Sequence, residues 1–397
     1  MKKIAVLGAG IYNIQIYKKL QEADFYIVAI DGNENAPAAK YANEFVNLNF
    51  NDKKLLLDYC KQNPVDGIMP INDWGTVPAA YVSEQMGLVG IKESAAIAST
   101  DKGIMRDNWS NAGLPNPKYF IFSTLQELQD GLDQIGFPCV VKPTDSGGSG
   151  RGISVLQSKD DAQWAYDFAA PYVRNHRFIC EAFVQGTELT IETISVNGEV
   201  HVLAASDKEK PNIRTRVAMS LNYPARLTKE QKELVYTTVK KAVISLGITT
   251  GMAHTEVIID GMDVKMVETG ARGGGGHIFH TIIEAVSGYS APVIYANLLC
   301  GKTPVLDNIK ENGSVYRFFT VPHGVLKEVN GIEEVAQWPN ILDIGMIKKP
   351  GDTVGDLKNS LERAGHVITA GETREEAVNL ANKVEDTIQF IIEGIAI

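Results

Sequence analysis

The stretch Gly136-Phe137-Pro138-Cys139-Val140-Val141-Lys142-Pro143-Thr144-Asp145-Ser146-Gly147-Gly148-Ser149-Gly150-Arg151-Gly152 decides how this chain is read. Its apolar run at 139–141 has the length of a buried strand, and that strand ends in Lys142. The loop 145–152 holds four glycines and two serines, so backbone N–H groups can come close to phosphate oxygens, and Arg151 adds charge. The G-K-[ST] ending of a P-loop is missing. Lys142 instead stands where an ammonium at a strand end reaches a phosphate as a point charge. Taken alone the loop is equally a flexible hairpin tip, so its surroundings have to separate the two readings.

Downstream, Glu181-Ala182-Phe183-Val184-Gln185-Gly186-Thr187-Glu188 joins the end of one strand to the next. An extended backbone there can hydrogen-bond an adenine edge while Glu188 takes ribose hydroxyls. Glu256 and Glu268 lie on consecutive predicted strands, 254–259 and 264–268, around Asp260-Gly261-Met262-Asp263. Both carboxylates face one way if 256 pairs with 268, which predicts an odd loop such as 261–263. Two such carboxylates repel by about 4 kcal/mol at ~4 Å in an effective dielectric near 20. A bound Mg²⁺ reverses that sign, and Mg²⁺ prefers one or two carboxylates plus substrate phosphates. Arg272 and the glycines 273–276 follow, before a predicted helix at 277–286, and make an idle pair of solvated glutamates the weaker reading.

Upstream, strands at 4–7, 26–30 and 67–71 alternate with helices at 11–22 and 53–62, the pattern of a parallel sheet. Gly8-Ala9-Gly10 opens the first helix and Asp31 ends the second strand, but Asn13 stands where a dinucleotide fingerprint needs a third small residue. A tight strand-to-helix turn is the better reading. Residues 76–112 read mostly as helix. Between 119 and 269 strands and helices alternate, with Asn197-Gly198 as a hairpin signal and a long helix at 228–246. A last segment from about 314 carries short strands and a helix at 374–392.

Composition narrows the classes. The chain has 397 residues, 44% hydrophobic and 22% charged, with a net charge of −10, which argues against a nucleic-acid partner. Four scattered cysteines suggest neither a zinc site nor a disulfide framework. The first apolar run is too short for a leader, and no stretch approaches the ~18 apolar residues of a membrane span. A cytoplasmic protein with no membrane partner is expected.

Taken in order, these residues resemble the ATP-grasp superfamily of carboxylate–amine ligases, its carbamoyl-phosphate-synthase-like and L-amino-acid-ligase-like members in particular. Asp101-Lys102 resembles the first phosphate lysine, with Arg106 one turn on, and Lys142 the second. The 145–152 loop, with Ser146, Gly147, Gly148, Ser149 and Gly150, resembles the mobile phosphate loop. Glu181, Phe183 and Val184 look like the adenine hinge, Glu188 the ribose carboxylate, and Glu256 with Glu268 the metal pair. Lys208, placed after a strand at 202–206, resembles a further phosphate ligand, and Arg272 the arginine that steadies the transferred phosphoryl group.

The resemblance implies an α/β and α+β multidomain chain. It divides into a Rossmann-like pre-grasp domain at 1–112, an ATP-grasp domain at 113–313 (subdomains about 115–185 and 186–310) and a C-terminal α+β domain at 314–397. It implies ATP, one or two Mg²⁺ ions, small carboxylate and amine substrates, and a homodimer. Two departures stand out. Gly270 occupies a position where many members place Asn, which predicts a weaker shell for a second magnesium. Ala218 and Leu221 stand where dipeptide-forming members often carry Glu and His before an element like Tyr223-Pro224-Ala225, which argues against that arrangement. The alternatives are a purine-pathway or bicarbonate-phosphorylating member, a non-catalytic nucleotide-binding protein, and an NAD-dependent oxidoreductase. The last explains none of Lys142, Glu256 or Glu268.

Overall fold

Parallel strands need crossovers on the sheet faces, and the N-terminal third supplies them as helices. The computed structural model describes all residues except 146, 148, 149, 213–215, 394 and 397. Its first sheet is parallel, in the order Glu44–Asn47, Phe25–Asp31, Lys2–Leu7, Gly67–Pro70. The edge strand Glu44–Asn47 escaped the sequence reading because none of its residues is fully buried, so its pattern lacks contrast. At the first turn the N–H of Gly8 donates to Ile30 O at 2.9 Å and that of Ala9 to Asp31 Oδ2 at 2.7 Å. Asp31 therefore closes the turn. The helix expected at 11–22 opens with a 3₁₀ turn, Ile11–Asn13, before Ile14–Glu22.

A second, antiparallel sheet runs Tyr119–Phe122, Phe178–Ala182, Cys139–Pro143, Ser154–Leu156. Helix Leu125–Ile135, started by a Thr124/Glu127 capping box, buries Leu128 and Leu132 against it. The helix expected over 159–173 is only Ala162–Ala169 between two 3₁₀ turns. A third sheet has eight antiparallel strands: Asp263–Gly270, Gly251–Asp260, Thr187–Val196, Glu199–Glu209, Ser220–Tyr223, Gly313–Phe318, Gly365–Gly371 and Ile341–Met346. At its hairpin Val196 pairs with Glu199, and Asn197 and Gly198 both take positive φ, 50° and 89°. The strand after this turn runs on to Glu209, so Lys208 lies inside a strand rather than beyond its end.

The C-terminal helix stops at Thr387, and Gln389–Ile392 becomes a strand paired with Gly324–Asn330. The β-branched and aromatic run after residue 387 favours that outcome. The helix expected at 277–286 begins as a π-helical turn, Ile278–Ile282, before Ile283–Ser287. Among the described residues no single helix is long and apolar enough to cross a membrane.

Candidate active site

Two sheets carry the charged residues singled out above, and helix Lys102–Asn111 adds two more. Lys142, on Cys139–Pro143, is 4% exposed with Nζ 2.6 Å from Glu181 Oε2. The other oxygen of Glu181 accepts from Arg106 Nε at 2.8 Å, and Arg106 Nη2 donates to Val267 O at 2.8 Å. Burial alone would raise the Glu181 carboxyl, but Arg106 and Lys142 outweigh it and hold the group below the usual carboxylate range. Burial pushes the Lys142 ammonium down, against the pull of Glu181. At the start of the expected adenine hinge, the Glu181 side chain thus fixes two cations. Beside it, the Phe183 N–H donates to Pro138 O at 3.1 Å and the Phe183 ring lies 5.8 Å from Arg216, while Val184 is half-buried.

The second cluster lies on the eight-stranded sheet. Lys208 Nζ sits 3.1 Å from Glu188 Oε1 and is hydrogen-bonded to Glu256 Oε1. Lys210 approaches Glu188 at 2.6 Å, so that carboxylate already holds two ammonium groups. Glu256 stands opposite Glu268 in register. The route differs from the expected odd loop: Asp260 pairs with Asp263 around a two-residue turn, and a β-bulge takes up Val267 between the pairs 257–266 and 256–268. On the opposite face Thr255 and Thr269 meet at 3.1 Å. Each glutamate has its own lysine, because Lys102 Nζ lies 3.2 Å from Glu268 Oε1. That neutralisation removes the repulsion expected of the bare pair.

Three residues that sequence reasoning missed complete the cluster. His254 Nδ1 bonds to the buried Glu192, and its Nε2 is 3.6 Å from Glu256 Oε1. Burial works against its charge, yet Glu192 overrides it and the imidazole is raised to about 9. The second oxygen of Glu192 accepts from the Gly274 N–H at 3.0 Å. A Cβ on Gly274 would stand 2.5 Å from Glu192 Oε1, so only glycine fits there. The third is Asp73, which starts helix Asp73–Met86 just past a strand end of the parallel sheet.

Arg272 donates to both oxygens of Asp73, from Nε at 2.9 Å and Nη2 at 2.8 Å, rather than pairing with Glu268. This explains Gly270. A Cβ there would meet Asp73 Oδ1 at 3.1 Å and Arg272 Cζ at 3.6 Å, so the ion pair fills the space an Asn side chain would need. A position at the C-terminal edge of a parallel sheet is the signal that could have found Asp73. For Glu192 it was its place four residues after Glu188, on the same face of one strand, and for His254 its place two residues before Glu256, also on the same face.

In the glycine loop Ser146, Gly148 and Ser149 lie outside the described residues. Gly147 and Gly150 take positive φ, 66° and 68°, and Arg151 Nη2 donates to Gly147 O at 2.7 Å. Trp74 flanks this segment: its ring would lie 2.9 Å from a Cβ on Gly147, and Arg174 stacks on it at 3.5 Å.

Comparison with known proteins places this arrangement. An ATP-grasp domain model matches residues 107–278, which hold both clusters except Lys102, Arg106 and Asp73. Residues 107–278 are an ATP-grasp domain. A PylC-like N-terminal domain model matches 4–92 of this chain, and an L-amino acid ligase C-terminal domain 2 model matches 317–393. It is 25% identical over 413 residues to formate-dependent phosphoribosylglycinamide formyltransferase of Paraburkholderia xenovorans, covering 98% of this chain and 95% of that one. The chain spans about half the length of the Shewanella frigidimarina protein of that name, at 32% identity over 204 residues, 51% of that protein. Among solved structures, L-amino acid ligase from Bacillus licheniformis superposes with a TM-score of 0.86 at 21% identity, covering 99% of each chain. Phosphoribosylglycinamide synthetase from Anaerococcus prevotii does so at 0.76 and 22%, over 98% of this chain and 99% of that one. ATP with Mg²⁺ is what ATP-grasp enzymes use, and the oxygen-only donors of Glu256 and Glu268 fit Mg²⁺.

Proposed function

We propose that this chain is an ADP-forming ligase that activates a small carboxylate as its acyl phosphate and passes the acyl group to an amine. One observation supports this reading above the others: three buried lysines, Lys102, Lys142 and Lys208, sit on carboxylates around the paired Glu256 and Glu268. Such a set is built for a polyphosphate and its cation. On this reading Lys102, Lys142 and Lys208 turn to phosphate oxygens, and the 145–152 loop covers them. The 181–184 backbone takes the adenine and Glu188 the ribose. Glu256 and Glu268 would hold Mg²⁺, which supplies charge neutralisation at the phosphates.

A substrate carboxylate oxygen attacks the γ-phosphorus, the bond to the β–γ bridging oxygen breaks, and ADP leaves. The amine then attacks the acyl carbon and inorganic phosphate departs. Arg272, locked by Asp73, keeps its guanidinium beside the bare backbone of 273–276, where charge on the transferred group develops. The residues 1–112, 113–313 and 314–397 act as pre-grasp, grasp and C-terminal units, and a homodimer is the assembly to look for by sedimentation.

Formate with phosphoribosylglycinamide is one carboxylate–amine pair of this class, and the end-to-end match to the Paraburkholderia protein favours it as a second reading. Amino-acid pairs are the other. The test is ADP release with each pair, followed by mass spectrometry of the product. ATP binding with no ADP release for any pair of acid and amine would favour the non-catalytic reading.

A further inference from the structure

Outside the ATP site, three metal-ligating side chains converge where distant parts of the chain meet. His277 follows the glycine run, Asp343 lies on Ile341–Met346 and His366 on the neighbouring Gly365–Gly371. His366 Nε2 is 2.6 Å from Asp343 Oδ2, and His277 Nε2 is 3.8 Å from the same oxygen. The three ligand atoms all lie within 4.8 Å of one another. Tyr12, from the turn after Gly10, sets its ring edge-on to His277 at 6.1 Å.

A second observation points to a ligand. His280 is 1% exposed, its ring lies 5.2 Å from that of His277, and among the described residues neither of its nitrogens has a hydrogen-bond partner. His366, 5% exposed, leaves Nδ1 without one among the same residues. Buried imidazoles with unmet nitrogens are costly in a site of purely structural purpose. The π-helical turn has a part in this: its Ile282 N–H reaches back to His277 O at 3.1 Å, the wide turn that sets the two rings side by side.

We propose that His277, Asp343 and His366 form a binding site for one divalent ion of the zinc class, with a fourth position open. Ligand atoms around tetrahedral zinc, at roughly 2.0–2.1 Å from the metal, stand about 3.3 Å apart. The 2.6 and 3.8 Å separations bracket that figure, so small side-chain rotations close the site. Two imidazoles and one carboxylate suit Zn²⁺ or Co²⁺, whereas Mg²⁺ takes oxygen donors and dehydrates reluctantly. The site is therefore distinct in chemistry from Glu256 and Glu268. The Asp343 side chain, 40% exposed, provides the way in. A bound ion ties the segment after the glycine run to the C-terminal strands, and it does so whatever the ligase reading turns out to be.

The test uses the full chain in saturating Mg²⁺. Zinc binding is measured by equilibrium dialysis and Co²⁺ binding by its visible absorption. The wild-type chain and the Glu256→Gln/Glu268→Gln double variant should each bind one ion with the intense band of a tetrahedral site. His277→Ala and Asp343→Asn should weaken binding at least about tenfold and abolish the band. His366 is left intact because it is buried, and unchanged circular dichroism shows that the two variants fold. No stoichiometric binding overturns the proposal. So does binding that survives His277→Ala and Asp343→Asn and disappears in the double variant.

Discussion

Glu181→Gln isolates the electrostatics of the Lys142 cluster. The substitution keeps the shape and removes the one carboxylate on which both Lys142 and Arg106 rest, with the three side chains 5%, 0% and 6% exposed for lysine, arginine and glutamate. Removing one partner of a buried ion pair leaves an uncompensated charge and costs about 3–5 kcal/mol. The chain can relieve this by releasing the Lys142 proton, since burial already depresses that ammonium. The sign of the pH dependence follows. A lysine whose folded pKa lies below its unfolded value of 10.5 binds more protons unfolded, so stability recovers as pH rises toward that value. Urea unfolding at pH 7 and pH 9 should therefore show a large deficit that shrinks at the higher pH. On the proposed function a neutral Lys142 also forfeits a charge-assisted phosphate bond, about 1.5–3 kcal/mol, or roughly 10–100-fold in ATP affinity by calorimetry. A variant that unfolds within about 0.5 kcal/mol of wild type at pH 7 would refute the reasoning, because that is the behaviour of a surface site.

Arg272→Lys keeps the charge but loses the fork that grips both Asp73 oxygens, so kcat should fall about 10²-fold with ATP affinity little changed, as read by steady-state kinetics and calorimetry. His254, raised to about 9, contributes stability that is full below its unfolded value of 6.5 and lost as pH rises through about 9. The contribution is about 3 kcal/mol at most, and thermal melts of wild type and His254→Gln across pH 6–10 should converge at the alkaline end. Gly270→Asn restores the residue common in the superfamily, yet its Cβ would stand 3.1 Å from Asp73 Oδ1. A loss of about 1–3 kcal/mol in urea unfolding is expected, together with weaker Arg272-dependent catalysis; full stability and activity would show that the ion pair yields easily.

What was legible in the sequence was local. A lysine ending an apolar strand, an Asn-Gly turn and two glutamates either side of a short turn each carry their own physical signal, and the structure places them as read. The register of Glu256 with Glu268 was right for an incomplete reason, since a bulge at Val267 is invisible in a pattern of alternating residues. What escaped was made by chain segments far apart. Asp73 and Arg272 are 199 residues apart, and Glu192 and His254 are 62 apart. No periodicity links such pairs, because side-chain direction in one sheet says nothing about which helix end will face it.

The same limit explains why single residues were assigned to ligands that the folded chain does not need in order to be stable. Read one at a time, Lys208 and Lys102 belong to phosphates, and Glu188, Glu256 and Glu268 to ribose or metal. A buried charge, however, has to be compensated whether or not a nucleotide is bound. The fold meets that demand internally: Lys208 rests on Glu188 and Glu256, Lys102 on Glu268, and Lys142 on Glu181. The lysines can turn to phosphates only if the carboxylates they leave gain another positive partner. Glu181 keeps Arg106, and Glu188 keeps Lys210. Glu268 has no second cation among its described ion pairs, and Glu256 has only His254 at 3.6 Å. Those two, alone of the four, face each other across the hairpin, which is why they are the pair suited to a divalent ion and the other two are not.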